Sequence, residues 1–132
     1  MTYIAYERVL CSATSSGSIT TYTTGTYTGL VHAVHYNPVM AATSGNISSG
    51  GTASSVAIAS DVGGLTILTL ADASSASLGA WYPRTIASSA LSSAASTGAC
   101  AVPLHEERIA ITITSGSTTQ DTKYAYVSFY IA

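Results

Sequence analysis

The strongest constraint on the fold is an alternation of apolar and polar residues with a period of two. It is clearest in Arg108–Thr114, where Ile109, Ile111 and Ile113 alternate with small or polar residues, and it recurs through Lys123–Ile131. Side chains of a β-strand point alternately to the two faces of the sheet, so this pattern predicts strands with one buried and one wet face. The turn-forming composition of Ser115–Asp121 predicts that these two strands form a hairpin.

Three earlier segments are also typical of strands. Tyr3–Cys11 and Ser18–Thr24 are separated by a short Ser/Gly stretch, which predicts a second hairpin. Gly29–Tyr36 alternates in the same way, and Asn37-Pro38 ends it because proline cannot donate to a sheet ladder. A regular strand here places His32 on one face and His35 on the other.

The middle of the sequence contains one strong turn signal. Ser55–Ser60 and Leu65–Leu70 flank Asp61–Gly64, whose two glycines can adopt the positive φ of tight turns, and this predicts a hairpin. Leu78–Ile86 includes Pro83, which predicts an edge or irregular strand.

Two segments lack the large apolar residues that would anchor a strand. Ala42–Ser55 consists almost entirely of small residues and predicts a long loop, and the Ala/Ser-rich Ala87–Ala101 could hold a helical turn but favours a loop. With 132 residues, the chain fits a single domain spanning residues 1–132. The predicted fold is all-β, a single-domain antiparallel β-sandwich or small barrel of about seven or eight strands.

Charged residues are scarce, which narrows the classes of partner. Only 8% of the chain is charged, against roughly 25% in an ordinary soluble domain. Because nucleic-acid binding needs a basic face, we expect no nucleic-acid partner. The sequence contains no run of about 18 apolar residues and begins without a recognisable secretion signal, so we expect no membrane partner either. We expect Cys11 and Cys100 to be free, mostly buried thiols.

No pattern of catalytic or cofactor-binding residues is present in the sequence. Gly-x-Ser-x-Gly, Gly-x-Gly-x-x-Gly, the P-loop lysine and Cys-x-x-Cys are all missing, so we expect no catalytic residue, no cofactor and no enzyme activity. Glu106 and Glu107 are sequence neighbours, and we interpret them as solvated loop charges beside Arg108. His32 and His35 on a strand would point apart, one inward and hydrogen-bonded and one outward, so we expect no zinc site.

The nine tyrosines are the most informative side chains for function. Tyr124, Tyr126 and Tyr130 share one face of the last predicted strand, and Tyr3, Tyr6, Tyr22 and Tyr27 lie early in the sequence. Three interpretations remain open: aromatic packing within a sheet, a subunit interface, or a platform for carbohydrate. The residues we select as interface candidates are Tyr3, Tyr6, Tyr124, Tyr126 and Tyr130.

Four motifs in a fixed order resemble a known group of proteins. They are Gly29-Leu30-Val31-His32-Ala33-Val34, the apolar Gly64–Leu70 run, Trp81-Tyr82-Pro83-Arg84, and Val102-Pro103-Leu104 leading into Arg108–Ile113. This order is similar to that of small β-rich structural proteins from the virion gene clusters of tailed phages.

The resemblance implies a non-enzymatic bacteriophage virion protein, and above all a capsid decoration, or cement, protein. It implies assembly in the host cytoplasm, the major capsid protein as partner, and self-association, with a trimer favoured. The low charge is compatible with this, because a closed oligomer removes poorly solvated surface from water. The alternative function is a head- or tail-associated β-sandwich that recognises host surface glycans.

Overall fold

The computed structural model describes residues 4–13, 17–37, 55–70, 79–88, 95–115 and 123–132, which form strands and short connections and no helix. The strands in chain order are β1 (Ala5–Ala13), β2 (Gly17–Tyr22), β3 (Tyr27–Asn37), β4 (Ser55–Ser60), β5 (Thr66–Leu70), β6 (Gly79–Trp81), β7 (Thr85–Ser88), β8 (Ala95–Cys100), β9 (Val102–Glu107), β10 (Ile109–Ser115) and β11 (Lys123–Ile131). In this part of the chain no helix has the length and apolarity needed to span a membrane.

Two antiparallel sheets pack together and confirm the predicted β-sandwich. The larger sheet has the order β1-β11-β3-β6, with β9 pairing with β3 beside β6, and the smaller sheet has the order β2-β10-β4-β5. Within the described residues these two sheets hold nine strands, compared with the seven or eight predicted. Strands β7 and β8 form a separate two-stranded sheet.

The core lies between the two inner faces, as the alternation predicts. Ile109, Ile111 and Ile113 of β10 are fully buried in the smaller sheet. Opposite them, Val127 and Phe129 of β11 are fully buried in the larger sheet, and both groups belong to one apolar cluster. Burial of apolar area on this scale is the main stabilising contribution to a sandwich.

Two of the three predicted hairpins are wrong. β1 pairs with β11 in the larger sheet, whereas β2 pairs with β10 in the smaller sheet. The strands β10 and β11 therefore also lie in different sheets. The physical reason is that alternation specifies which face of a strand is buried, but every strand of a sandwich carries the same alternation and can pair with several others.

One of the three turn signals placed neighbouring strands correctly. β4 and β5 pair as the predicted hairpin, and Gly64 in their turn has the left-handed φ of +67°. The short β6 lies at the edge of its sheet, as expected beside Pro83. The loop predicted over Ala87–Ala101 is wrong where the structure describes it, because β7 and β8 pair there.

A β-bulge interrupts β3 and changes which of its residues face the core. The register with β11 shifts between Tyr130 and Ile131, so that His32 is an extra residue in β3. Val31 and Val34 are consequently both buried, although a regular strand would point them in opposite directions. The predicted assignment of the two faces of Gly29–Tyr36 is therefore wrong on one side of the bulge.

Some predictions lie outside the described residues. These are the loop over Ala42–Ser55 up to the start of β4, the position of Tyr3, and the segment that joins β10 to β11.

Candidate interaction surface

The outward face of β1 exposes apolar side chains to water. Ile4 precedes the strand and Tyr6 and Leu10 lie on it, and their side chains are 46%, 53% and 46% exposed, respectively. They alternate with the buried Val9 and Cys11, so the period-two pattern that builds the core leaves these three on the outside.

Two predicted interface tyrosines meet on this face. Tyr6 on β1 lies directly opposite Tyr130 on β11, with ring centroids 5.0 Å apart and ring planes inclined by 49°. The Tyr6 hydroxyl also donates to Ser128 Oγ at 3.4 Å. Aromatic rings at this separation attract each other beyond their burial, so the pair forms a fixed ridge rather than two independent side chains.

One cation lies beside this ridge. The Arg8 guanidinium sits over the ring of Tyr126, 4.4 Å from its centroid. Among the described side chains that β1 and β11 turn to this face, Arg8 is the single charged one. We name the surface formed by Ile4, Tyr6, Arg8, Leu10, Tyr126 and Tyr130 the outer aromatic face.

The remaining tyrosines have other roles. Tyr22 lies on the smaller sheet, where Arg108 stacks over its ring at 4.2 Å, and Tyr36 is fully buried in the core. Tyr27 bonds to Glu7 at one end of the sandwich. Of the five interface candidates, the structure brings together Tyr6, Tyr126 and Tyr130, while Tyr3 and the side chain of Tyr124 lie outside the described part.

A groove beside the outer aromatic face follows from the bulge in β3. It has a volume of about 290 Å³ and is lined by His32, Ala33, Val34, His35, Ala80, Tyr82 and Tyr130. Both imidazoles line this one groove, so the expectation that His32 and His35 point apart is wrong. The extra residue in the bulge restores both to the same side of the sheet.

The interpretation of Glu107 as a solvated loop charge is also wrong, because its carboxylate is buried. Its side chain is 5% exposed, and its Oε1 accepts hydrogen bonds from the backbone N–H groups of Val62 at 3.1 Å and Gly63 at 3.0 Å. Its Oε2 accepts from the N–H of His105 at 3.0 Å. The bond from Gly63 lowers the pKa of Glu107, and although burial opposes this, the bonds from His105 and Val62 keep the pKa below its ordinary value.

The turn that Glu107 holds is fully hydrogen-bonded. Each backbone N–H of residues 60–65 has an acceptor, from Glu107, the Arg108 carbonyl, the Leu65 carbonyl, or the carbonyl and hydroxyl of Ser60. Beside it, Arg108 forms an ion pair with Asp61 at 3.0 Å. Arg108 is exposed, whereas its neighbour Glu107 is part of the fold.

Glu7 plays a similar part at the connection between β2 and β3. Its carboxylate accepts the backbone N–H of Thr24 at 2.7 Å, that of Gly25 at 3.2 Å, and the hydroxyl of Tyr27. Burial opposes ionisation of Glu7, but the hydrogen bond from Tyr27 and the two backbone bonds outweigh it, and the pKa is lowered. Burial, together with the bond to Glu7 and its charge, raises the pKa of Tyr27 to about 12.

Sequence reasoning missed both carboxylates as organising residues. The one available signal was that tight turns present several backbone N–H groups, each of which requires a hydrogen-bond acceptor. Nothing in the sequence says which acidic residue supplies it.

Groups that could support chemistry are sparse in the described residues. They contain no cluster of three or more His, Cys, Asp or Glu side chains able to hold a metal ion. Cys11 is a free, buried thiol, as expected, and burial raises its pKa to about 12, which keeps it protonated and unreactive. The side chain of Cys100 lies outside the described part.

Comparison with known proteins does not assign the chain to a family. No protein-family model matches it, and neither a curated protein nor a solved structure does. The class of protein is therefore defined by the fold, a two-sheet antiparallel β-sandwich, and by its exposed aromatic surface.

Proposed function

We propose that this chain is a bacteriophage virion structural protein of the capsid decoration type. In this proposal it is not an enzyme, it self-associates as a trimer, and the outer aromatic face binds the major capsid protein. The observation that carries the proposal is the apolar, aromatic and nearly uncharged surface that β1 and β11 present to water.

The composition of this face supports association. Tyrosine and arginine are enriched in the energetically important part of protein interfaces, and this face carries Tyr6, Tyr130 and Arg8 among exposed apolar side chains. Scattered exposed apolar residues are ordinary, but Tyr6 and Tyr130 are in contact and Leu10 lies on the same face of β1 as Tyr6. Covering this surface removes apolar area from water and stabilises the bound state.

The position of Arg8 favours a contact between unlike surfaces. If two copies met face to face about a two-fold axis that passes near Arg8, the two guanidinium groups would approach each other, and no carboxylate among the described side chains of the face would neutralise them. A cyclic trimer and a capsid shell both present a different surface to this face. A partner surface with one carboxylate among apolar residues would complement it.

A matched pair of variants tests the proposal. Leu10 and Leu65 are each 46% exposed, but Leu10 lies on the outer aromatic face, whereas Leu65 lies beside the turn of the smaller sheet. We expect Leu10→Ser to weaken binding to expanded shells of the major capsid protein by about tenfold or more, which is the scale of one interface contact of ~1.4 kcal/mol. Leu65→Ser should bind like the parent chain.

The two measurements are co-sedimentation with the shells and mass by light scattering. The proposal predicts saturable binding to the shells and a mass in solution of three chains. A parent chain that remains a monomer on dilution and does not bind the shells would overturn it, and so would equal binding by the two variants.

A further inference from the structure

We propose that the groove beside β3 and β6 binds one ring of a neutral sugar, of the hexose class. This goes beyond the proposed capsid attachment, because the ligand is a small molecule and, apart from Tyr130, the residues that line the groove lie outside the outer aromatic face. The bulge in β3 and the segment after β6 create the site.

The floor of the groove is made by small side chains. Ala33 directly follows the extra residue His32, and Ala80 of β6 pairs with His35 of β3, so that two methyl groups stand where larger residues would fill the space. The resulting volume of about 290 Å³ lies just below the ~300–1,000 Å³ range of typical ligand sites. It suits a single ring rather than an extended peptide.

The walls combine aromatic surfaces with polar tips. Tyr82 is 60% exposed and Tyr130 is 37% exposed, and the His32 ring meets Tyr82 edge to face with centroids 6.3 Å apart. The C–H face of a pyranose ring packs on such aromatic surfaces, while the phenol hydroxyls and imidazole nitrogens can donate to and accept from its hydroxyls.

The wall that carries Tyr82 is held in place before any ligand arrives. Trp81 at the end of β6 pairs with Val34 of β3, and Arg84 Nη1 donates to the Pro83 carbonyl at 2.6 Å and comes within 3.5 Å of the His32 carbonyl. A site positioned in this way loses less conformational freedom on binding.

The charge of the lining selects a neutral ligand. None of the seven lining residues is an Asp, Glu, Lys or Arg. The nearby Arg84 guanidinium is directed at the Pro83 and His32 carbonyls. A phosphate or carboxylate would therefore lose hydration without a charged partner among the lining residues, whereas neutral hydroxyls lose less hydration and can form hydrogen bonds with the lining. The other occupant of this shape is an apolar side chain of a partner protein, and the test below separates the two.

The test is an NMR titration of the isolated protein with glucose, galactose, mannose and N-acetylglucosamine, and with glucuronic acid as the anionic comparison. We expect at least one neutral sugar to shift the amide signals of residues 32–35, 80–82 and 130 with a millimolar Kd, about −4 kcal/mol, as befits one ring. Glucuronic acid should bind more weakly than its neutral counterpart, glucose.

Variants then locate the binding. Tyr82→Ala should weaken binding by about tenfold or more, because it removes a wall, and Tyr82→Phe should retain most of it. Tyr22→Ala, which removes an exposed tyrosine from the other sheet, is the matched control and should bind like the parent.

Several results would overturn the proposal. One is that none of the four neutral sugars causes a saturable shift up to about 50 mM, which is well above a millimolar Kd. The others are shifts that lie outside the groove, and an equal loss of sugar affinity in Tyr82→Ala and Tyr22→Ala. Failure of capsid attachment would not affect this result, since the titration uses the free protein. Leu10→Ser, which tests the attachment, should leave sugar binding unchanged.

Discussion

The carboxylate of Glu107 and the backbone N–H of Gly63 lie 3.0 Å apart and join the end of β9 to the turn between β4 and β5. This bond connects the two sheets at one end of the sandwich, because β9 belongs to the larger sheet and the β4–β5 turn to the smaller one. The connection depends on a buried negative charge, so it responds both to mutation and to pH.

Replacing Glu107 with glutamine should destabilise the protein by about 1–3 kcal/mol, because the amide presents a donor where an N–H group needs an acceptor. The measurement is the free energy of unfolding in urea. The neighbouring Glu106 is exposed, so Glu106→Gln is the control and should change stability by no more than about 0.5 kcal/mol. Equal effects of the two variants would contradict the assigned role of Glu107.

Acid should weaken the folded state through Glu7 and Glu107. Both have a lowered pKa in the folded protein relative to the ordinary value of 4.5, so their contribution is fully present above that value and is lost as the pH falls through the folded pKa. We expect the urea midpoint to fall as the pH drops below about 4.5. The double variant Glu7→Gln, Glu107→Gln should show a smaller fall of the urea midpoint with decreasing pH. A fall as steep as that of the parent protein would exclude these two carboxylates as the cause of the acid sensitivity.

Ile111 should be among the most sensitive core positions. It is fully buried at the centre of β10, between Ile109 and Ile113. Truncation to alanine leaves a cavity and should cost about 2–5 kcal/mol in unfolding free energy. A cost under about 0.5 kcal/mol, the scale of a surface change, would mean that β10 does not face the core.

Gly29 should not tolerate a side chain. Its φ is +141°, and a Cβ added there would stand 2.5 Å from the backbone oxygen of Ala132. Gly29→Ala should therefore cost more than the roughly 1 kcal/mol typical of a glycine replacement. Gly64→Ala separates the effect of a positive φ from the effect of the steric clash, because Gly64 also has a positive φ but nothing lies near its added Cβ. We expect a smaller loss of unfolding free energy for Gly64→Ala than for Gly29→Ala.

The Cys11 thiol should be protected in the native protein. Its pKa is raised to about 12 and its side chain is 1% exposed, so iodoacetamide should label it only after unfolding. Peptide mass mapping distinguishes Cys11 from Cys100. Rapid labelling of Cys11 in the folded protein would show that β1 opens readily.

The sequence predicted local properties well and pairing poorly. The buried face of β10 and the turn at Gly64 follow from residue type and spacing, which act within a few residues. The pairing partner of β1 does not follow from residue type and spacing, because the alternation of Tyr3–Cys11 fits either sheet. The hairpin with β2 is a reasonable expectation from proximity in sequence, and tertiary packing overrides it.

Of the two candidate surfaces, the sequence predicted the aromatic face but not the groove. The tyrosine content indicated an aromatic face, and the structure places Tyr6 against Tyr130 on it. The groove was not predictable, because it depends on one extra residue at His32 that shifts the register of β3. Alternation arguments assume a regular strand, and a single bulge reverses their result for every residue beyond it.

The pairing of β1 with β11 also sets the order in which the molecule can form. β1 has no partner in its sheet until residues 123–131 have been synthesised, whereas the β4–β5 hairpin can close as soon as its own residues are available. A topology dominated by such distant pairings folds slowly, on the millisecond-to-second scale typical of sandwiches. During translation the backbone N–H and C=O groups of β1 therefore lack their sheet partner until the last strand is made, and an unpaired strand of this kind is prone to aggregation.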